Sequence, residues 1–313
     1  MTSFNRRIFA FVVISALSSA CAPEPWPEPP PVSEEEFAAS HAEWHAYRES
    51  RQTVPPSGPV IWIGLWELRE GANTVGAGDE VSILLAANDV PELAGTIRME
   101  DGAITLEPNE GFASEDGTPV ETVLELAHDR SENPTLLRLG SLGMRIHSER
   151  GTERLWLRVW DEEHPQIGSF TLPPYYPVTQ DWRVTARFEP YPEPRIFELD
   201  DVTDGQVENE SPGELAFRAA GREHRLVAFA SPTSSSFFVS LWDSTAVVNT
   251  YQGGRYLRVP FADSTGFTTI DFNRTYNPPC VFTQFSVCSL PPRENRLALA
   301  VTAGEQRPTD STY

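Results

Sequence analysis

The stretch Gly253–Glu305 reads GGRYLRVPFADSTGFTTIDFNRTYNPPCVFTQFSVCSLPPRENRLALAVTAGE. From Phe267 to Phe272 apolar and polar side chains alternate with the period of two of a half-buried strand. Pro278 biases Asn277 toward extended backbone. Pro278 and Pro279 fix their own φ and lack an N–H, so Cys280 stands at the end of a stiff arm. Pro291 and Pro292 repeat the device ahead of Arg293, Glu294 and Asn295, and Leu297 to Val301 resume a strand pattern. The reading is strand, corner, rigid loop and last strand, a loop braced at both ends that holds polar side chains in preset positions.

Working outward, the same punctuation recurs. Between residues 59 and 148, short apolar runs such as Val60 to Trp66, Val81 to Leu85, Ala103 to Leu106 and Thr122 to Leu126 are separated by Gly, Asn, Asp and Pro, which predicts a β-sandwich. Residues 149–305 contain further runs, among them Leu155 to Trp160, Trp182 to Phe188, Glu214 to Arg218, Phe237 to Trp242 and Gly254 to Val259. They predict a second sandwich or an open barrel. A helix is expected only over residues 33–52, where Ser33 and Glu36 form a capping box and Phe37, His41, Trp44 and Arg48 make one stripe. His41 and His45 are spaced for a shared helical face, but with no third ligand to nominate, no metal is expected. The fold class is therefore mainly β, with a short N-terminal helix followed by two β-rich units, and the polar tail 306–313 is expected to fray.

The start of the chain reads as an address. Arg6 and Arg7, the apolar run Ile8 to Leu17 and the small residues Ser18 to Ala20 make residues 1–20 a signal peptide ahead of Cys21, the expected lipidation site. Ala22 to Val32 holds six prolines in eleven residues, so 21–32 forms an extended Pro-rich tether. The expected location is the bacterial cell envelope, lipid-anchored and periplasm-facing at the outer membrane, with membrane contact through the anchor only. The 313 residues carry 45 acidic against 24 basic side chains, a net charge of −21, which argues against a nucleic-acid partner. Every basic residue is Arg. Without Lys there is no Schiff base, pyridoxal-phosphate linkage, Ser-Lys dyad or P-loop, and no cofactor is expected.

Arg255, Asp271-Phe-Asn273, Tyr276-Asn-Pro-Pro-Cys280, Cys288, Pro291-Pro292, Glu294-Asn-Arg296 and Ala303-Gly-Glu305 together resemble the signature of the domain of unknown function 1684 family. Gly64-Leu-Trp66, Gly71-x-Asn73, Arg150-Gly151, Arg158-Val-x-Asp161 and Trp182-Arg183 extend the likeness over most of the mature chain. That family occurs in bacteria and archaea and has no established activity, so the resemblance implies a family and no chemistry. LREGANTVG, VSILL and GTIRMEDGAITL resemble the opening of a forkhead-associated sandwich. Such domains read phosphothreonine through an Arg after the glycine; Ala77 follows Gly76 here, so the architecture is expected to carry over and the phosphopeptide function is not.

For Cys280 and Cys288 the reading for an exported chain is a disulfide, closing a loop of about nine residues for about 2.6 kcal/mol. A structural pair of free thiols, or a functional thiol or soft-metal ligand activated by Arg255 or Arg296, are the alternatives. Arg255, Asp271, Asn273, Tyr276, Asn277, Glu294 and Asn295 are the candidate ligand-binding set; the competing reading is that Asn, Asp and Arg satisfy the irregular backbone of the loop itself. The expected function is binding of a small polar ligand or of an envelope protein around residues 255–296. The alternative is a hydrolytic or thiol-dependent enzyme using Asp271, Glu294 and Cys280.

Overall fold

The structure is a computed structural model in which residues 26–309, other than Arg150 and Asp204, are described; the expected signal peptide and Cys21 lie outside these residues. Helix α1 (Glu34–Ser50) opens with a complete capping box: the Glu36 N–H donates to Ser33 Oγ and the Ser33 N–H to Glu36 Oε2, both at 3.2 Å. Glu34, Glu35 and Glu36 complement the helix dipole, and Phe37 and His41 are the buried residues of its inner face.

The first sandwich comprises β1 (Trp62–Glu67), β2 (Gly71–Gly76), β3 (Ile83–Leu84), β4 (Gly95–Glu100), β5 (Ala103–Pro108), β6 (Phe112–Ser114), β7 (Leu124–Glu125), β8 (Leu136–Leu139), β9 (Leu142–Ser148) and β10 (Leu155–Asp161). One sheet runs β1-β10-β9-β8-β6 and the facing sheet β3-β2-β4-β5-β7. Alternate residues of each turn inward, so Val75, Ile97 and Leu106 meet Met144, Ile146 and Leu157 in one core. Asp101 and Gly102 both take positive φ at the β4–β5 turn, as a two-residue hairpin requires.

The second unit comprises β11 (Arg183–Asp200), β12 (Gln206–Ala219), β13 (Arg222–Ala228), β14 (Ser236–Asp243), β15 (Arg255–Pro260), β16 (Phe267–Asp271) and β17 (Arg296–Leu297). Sheet β13-β12-β11-β16 packs on sheet β15-β14-β17 through Phe217, Leu226 and Ile270 on one side and Val239, Leu257 and Leu297 on the other. It is a second sandwich, not an open barrel. Two local expectations change. The strand over Leu297 to Val301 is limited to Arg296–Leu297, because beyond it the carbonyls of Val301, Ala303 and Glu305 are taken by the Arg255 guanidinium and not by a neighbouring strand. The tail is pinned at its start, where the Gln306 N–H donates to Pro174 O and the Arg307 N–H to Asn249 O.

The loop that carries the cysteines lies against the first sandwich. Val281 and Phe282 pack on Val60, Phe285 packs on the Ile61, Trp62 and Trp160 cluster, and the Thr283 hydroxyl donates to Trp62 O. The two units meet along this seam.

Candidate functional site

Helix α1 docks on the second sandwich through polar side chains as much as apolar ones. His41, 2% exposed, places Nδ1 2.8 Å from Phe37 O and Nε2 2.8 Å from Asp271 Oδ2. A carbonyl and a carboxylate both only accept, so both ring nitrogens donate and His41 is an imidazolium. Burial alone would raise the Asp271 pKa. Hydrogen bonds from His41 and Asn273, with the charges of His41 and Arg274, outweigh it and hold the carboxyl below its ordinary 3.8. A lowered carboxyl contributes stability above its unfolded pKa and loses it as pH falls through the folded value. Asp271→Asn is therefore expected to cost about 1.5–3 kcal/mol at pH 7, the range for a hydrogen bond to a charged group. The deficit against wild type should shrink as the pH falls below the ordinary carboxyl range in urea titrations; a deficit that stays constant from pH 7 to pH 2 would refute the pairing.

Arg48, two turns on, closes the other end of α1. Its Nε lies 3.0 Å from Glu305 Oε1, its Nη2 donates to Asn277 O at 2.9 Å, and its guanidinium sits 4.8 Å over the Tyr276 ring. Glu305 is fully buried and also accepts from the Tyr175 hydroxyl at 2.9 Å and the Asn277 N–H at 2.7 Å. His45 stacks on Tyr175 with ring centroids 3.8 Å apart, and burial followed by the His41 charge lowers its pKa.

Between α1 and the sheets lies a cleft of about 440 Å³, lined by Ser40, His41, Arg183, Arg258, Thr269 and Arg274 among others, with Asp271 its one acidic residue. Asp271 is matched by the His41 imidazolium. Arg183 gives one N–H to Pro30 O, Arg274 gives one to Ser40 Oγ, and Arg258 rests over the Phe238 ring. None of these partners is anionic. Arg274 stands 3.7 Å from the already paired Asp271, so the cleft carries three positive charges in excess in a chain of net −21.

The seam between the sandwiches holds a second charged group. Arg158 on β10 is directly opposite Arg145 on β9, and Trp156 is opposite His147. Asp129 lies 2.7 Å from His147 Nδ1 and 3.6 Å from Arg145 Nε. Burial lowers the His147 pKa in spite of Asp129. Glu149, buried here, has its pKa raised by burial and by a hydrogen bond with Asp201. A cavity of about 310 Å³ opens beside Asp129, His147 and Glu149.

Of the residues nominated from sequence, Asp271 reaches the cleft, and Asn273 braces it by bonding Asp271 and both backbone groups of Thr179. Tyr276 and Asn277 sit beneath Arg48. Arg255 is 1% exposed and engaged with Asp243 and three carbonyls, and Asn295 spends its amide on Val227 and Ser240 as a substitute for strand pairing. Glu294 is exposed, and Cys280 lines a different cavity, so Asp271, Glu294 and Cys280 share no cleft. The expected disulfide is not formed: Cys280 and Cys288 are both free thiols, with the Cys280 N–H 3.3 Å from Cys288 Sγ. Arg183, Arg258 and Arg274 were not nominated as site residues, and His41 was read only as part of the helix stripe and of a rejected metal pair; the stripe it shares with Arg48 was the signal for it.

Residues 168–306 match the model of a family described as protein of unknown function, DUF1684. No curated protein matches the chain. Among solved structures, an uncharacterized protein of Haloarcula marismortui, determined in solution, is similar at 31% identity over 48% of this chain and 83% of that one, with a TM-score of 0.39. A domain from a study of phosphothreonine-dependent FHA domain interactions is similar at 20% identity over 32% of this chain and 95% of that one, TM-score 0.22. The FHA domain of FhaA is similar at 20% identity, 30% and 96% coverage and TM-score 0.21.

Proposed function

We propose that this chain, which carries the DUF1684 signature of unknown function over residues 168–306, is a binding protein for a small anion, a carboxylate or phosphate, held in the cleft between α1 and the second sandwich. The observation that carries this reading is the convergence of Arg183, Arg258 and Arg274 on a cleft whose single carboxylate is already neutralised by His41. Guanidinium groups present planar pairs of donors that match carboxylate and phosphate oxygens. The reading keeps the expected class of partner, a small polar ligand, and narrows its site to the part of residues 255–296 that faces α1, where Arg258, Asp271 and Arg274 lie. An envelope location belongs to the same proposal. Its support is the order of Arg6-Arg7, apolar run, Cys21 and Pro-rich tether in the sequence.

The test is isothermal titration with inorganic phosphate and with succinate. Saturable binding that weakens with salt is expected, and Arg183→Ala and Arg258→Ala are each expected to weaken it about tenfold or more, the loss of one charge-assisted hydrogen bond. Binding that survives the double substitution in a protein of unchanged melting temperature, or no saturable binding of either anion, would sink the proposal.

A further inference from the structure

Arg158 is 4% exposed and stacks on the Trp62 ring at 4.1 Å, yet its buried Nε has no hydrogen-bond partner among the described residues. Its cross-strand neighbour is Arg145, and like charges directly opposite are destabilising. Burial and the Arg145 charge pull the Arg158 pKa down to about 10. Asp129 balances one of the two guanidiniums. Besides Asp129, an ionised Cys288 is the other group whose charge would favour the Arg158 guanidinium.

The surroundings of Cys288 are those of an anion. Its Sγ lies 3.3 Å from the Cys280 N–H and 3.1 Å from Ser286 Oγ, and the Cys280 thiol and the Tyr256 hydroxyl also face it. The hydrogen bond from the Cys280 thiol, with those from Ser286 and the Cys280 N–H, lowers the Cys288 pKa against burial; the same bond and burial raise that of Cys280. With Cys288 ionised, two guanidiniums face two anions and the seam is neutral. Tyr251 stands beside Cys280, and burial together with that thiol raises its pKa, so it adds no second charge. Cys280 lines a cavity of about 570 Å³ walled by Val60, Trp62, Phe282 and Phe285, whereas Cys288 behind it is 4% exposed.

We propose that Cys288 is a resident thiolate that reacts with hydroperoxides, and that Cys280 is its resolving thiol. The Cys288 thiolate attacks one peroxide oxygen; the S–O bond forms, the O–O bond breaks and hydroxide (or alkoxide) leaves, giving a sulfenic acid. The Cys280 sulfur then attacks Cys288 sulfur; the S–S bond forms, the S–O bond breaks, and the departing hydroxyl takes the Cys280 proton as water. The two sulfurs lose two electrons and the peroxide gains them. The disulfide expected from sequence thus becomes the product of a reaction at a preset dithiol.

The test uses the full chain carrying Cys21→Ser, reduced and freed of reductant, then treated with hydrogen peroxide or tert-butyl hydroperoxide. Thiols are blocked after acid quench and intact mass is read. One disulfide per chain should form at a rate that changes less than twofold between pH 6 and 8. An ordinary thiol, with its pKa of about 8.5, would accelerate roughly tenfold per pH unit at the lower end of that range. In Arg158→Gln the pH 6 rate should fall at least tenfold and regain that steep rise. Cys280→Ser should stop at a sulfenic acid that dimedone traps on Cys288, and Cys288→Ser should slow the reaction at least tenfold. A steep pH dependence in the unsubstituted pair, a fast Cys288→Ser protein or the absence of an intramolecular disulfide would each overturn the proposal. The pH profile decides the matter whether or not Arg158→Gln folds.

Discussion

Arg255→Met is expected to lower stability by about 3–5 kcal/mol, the cost of stranding one partner of a buried ion pair, and to lower the melting temperature by on the order of 10 °C. The Arg255 guanidinium donates to Asp243 Oδ2 at 2.8 Å, to Val301 O at 2.9 Å, and to the carbonyls of Ala303 and Glu305. Asp243, 1% exposed, also receives the Thr245 N–H, the Thr245 hydroxyl and the Val301 N–H on its Oδ1. One side chain therefore satisfies the segment that follows β17, and its removal strands Asp243 Oδ2 and the carbonyls of Val301 and Glu305 in the core, while Ala303 O keeps only the Thr275 hydroxyl. Arg255→Lys should not rescue, because an ammonium cannot fork across a carboxylate and a row of carbonyls. The double substitution Arg255→Met with Asp243→Leu should recover part of the loss, since the stranded charge is gone. Urea denaturation followed by tryptophan fluorescence reads all three. A Lys variant within 1 kcal/mol of wild type would contradict the forked geometry.

Glu305→Ala is expected to cost a similar 3–5 kcal/mol and to release α1 from the sandwich. The substitution deprives Arg48 of its carboxylate and Tyr175 and Asn277 of their acceptors, all of them buried or half-buried. Glu305→Gln keeps an acceptor in place and should lose less, about 1–2 kcal/mol. Burial raises the Glu305 pKa above 4.5, against the pull of Arg48 and the hydrogen bonds. A raised carboxyl stabilises the fold fully below its unfolded pKa and loses that contribution as pH rises through the folded value. The Gln variant's deficit should therefore be greatest at or below pH 4.5 and shrink toward neutrality, opposite in sign to Asp271→Asn. Hydrogen exchange of the α1 amides at neutral pH provides the second readout: if Glu305→Ala leaves them protected as in wild type, the clasp is not what holds the helix.

Much of the architecture could be read from residue pattern alone. The Ser33 and Glu36 capping box, the period-two runs and the Gly, Asn, Asp and Pro between them are local signals, and they led to one helix and two β units. Asp271 and Asn273 were nominated from sequence as part of the polar set around the cysteines, and Asp271 lines the cleft beneath α1. The competing reading of Arg255, Asn277 and Asn295, that they satisfy irregular backbone, is the one their contacts support. What sequence could not supply was partnership at long range. His41 looked like half of a weak metal motif until the fold brought Asp271 to its Nε2. Arg183, Arg258 and Arg274 come from three separate segments, and nothing in a chain whose cations are all Arg marks those three. The cysteine pair was legible as a pair. Its unbonded state was not, since no spacing rule separates two free thiols from a disulfide.

The clasp between α1 and residues 271–305 also fixes an order of events in folding. His41 and Asp271 are 230 positions apart, and Arg48 and Asn277 are 229 apart. A 17-residue helix is marginal by itself in water, so α1 emerges early and has nothing to fold against while both sandwiches are being made. Only when Glu305 has been made can Arg48 find its carboxylate and the cleft acquire its roof. Among the described elements the first to be synthesised is therefore the last to settle, and chains truncated before residue 305 should carry folded sheet without α1 docked on it.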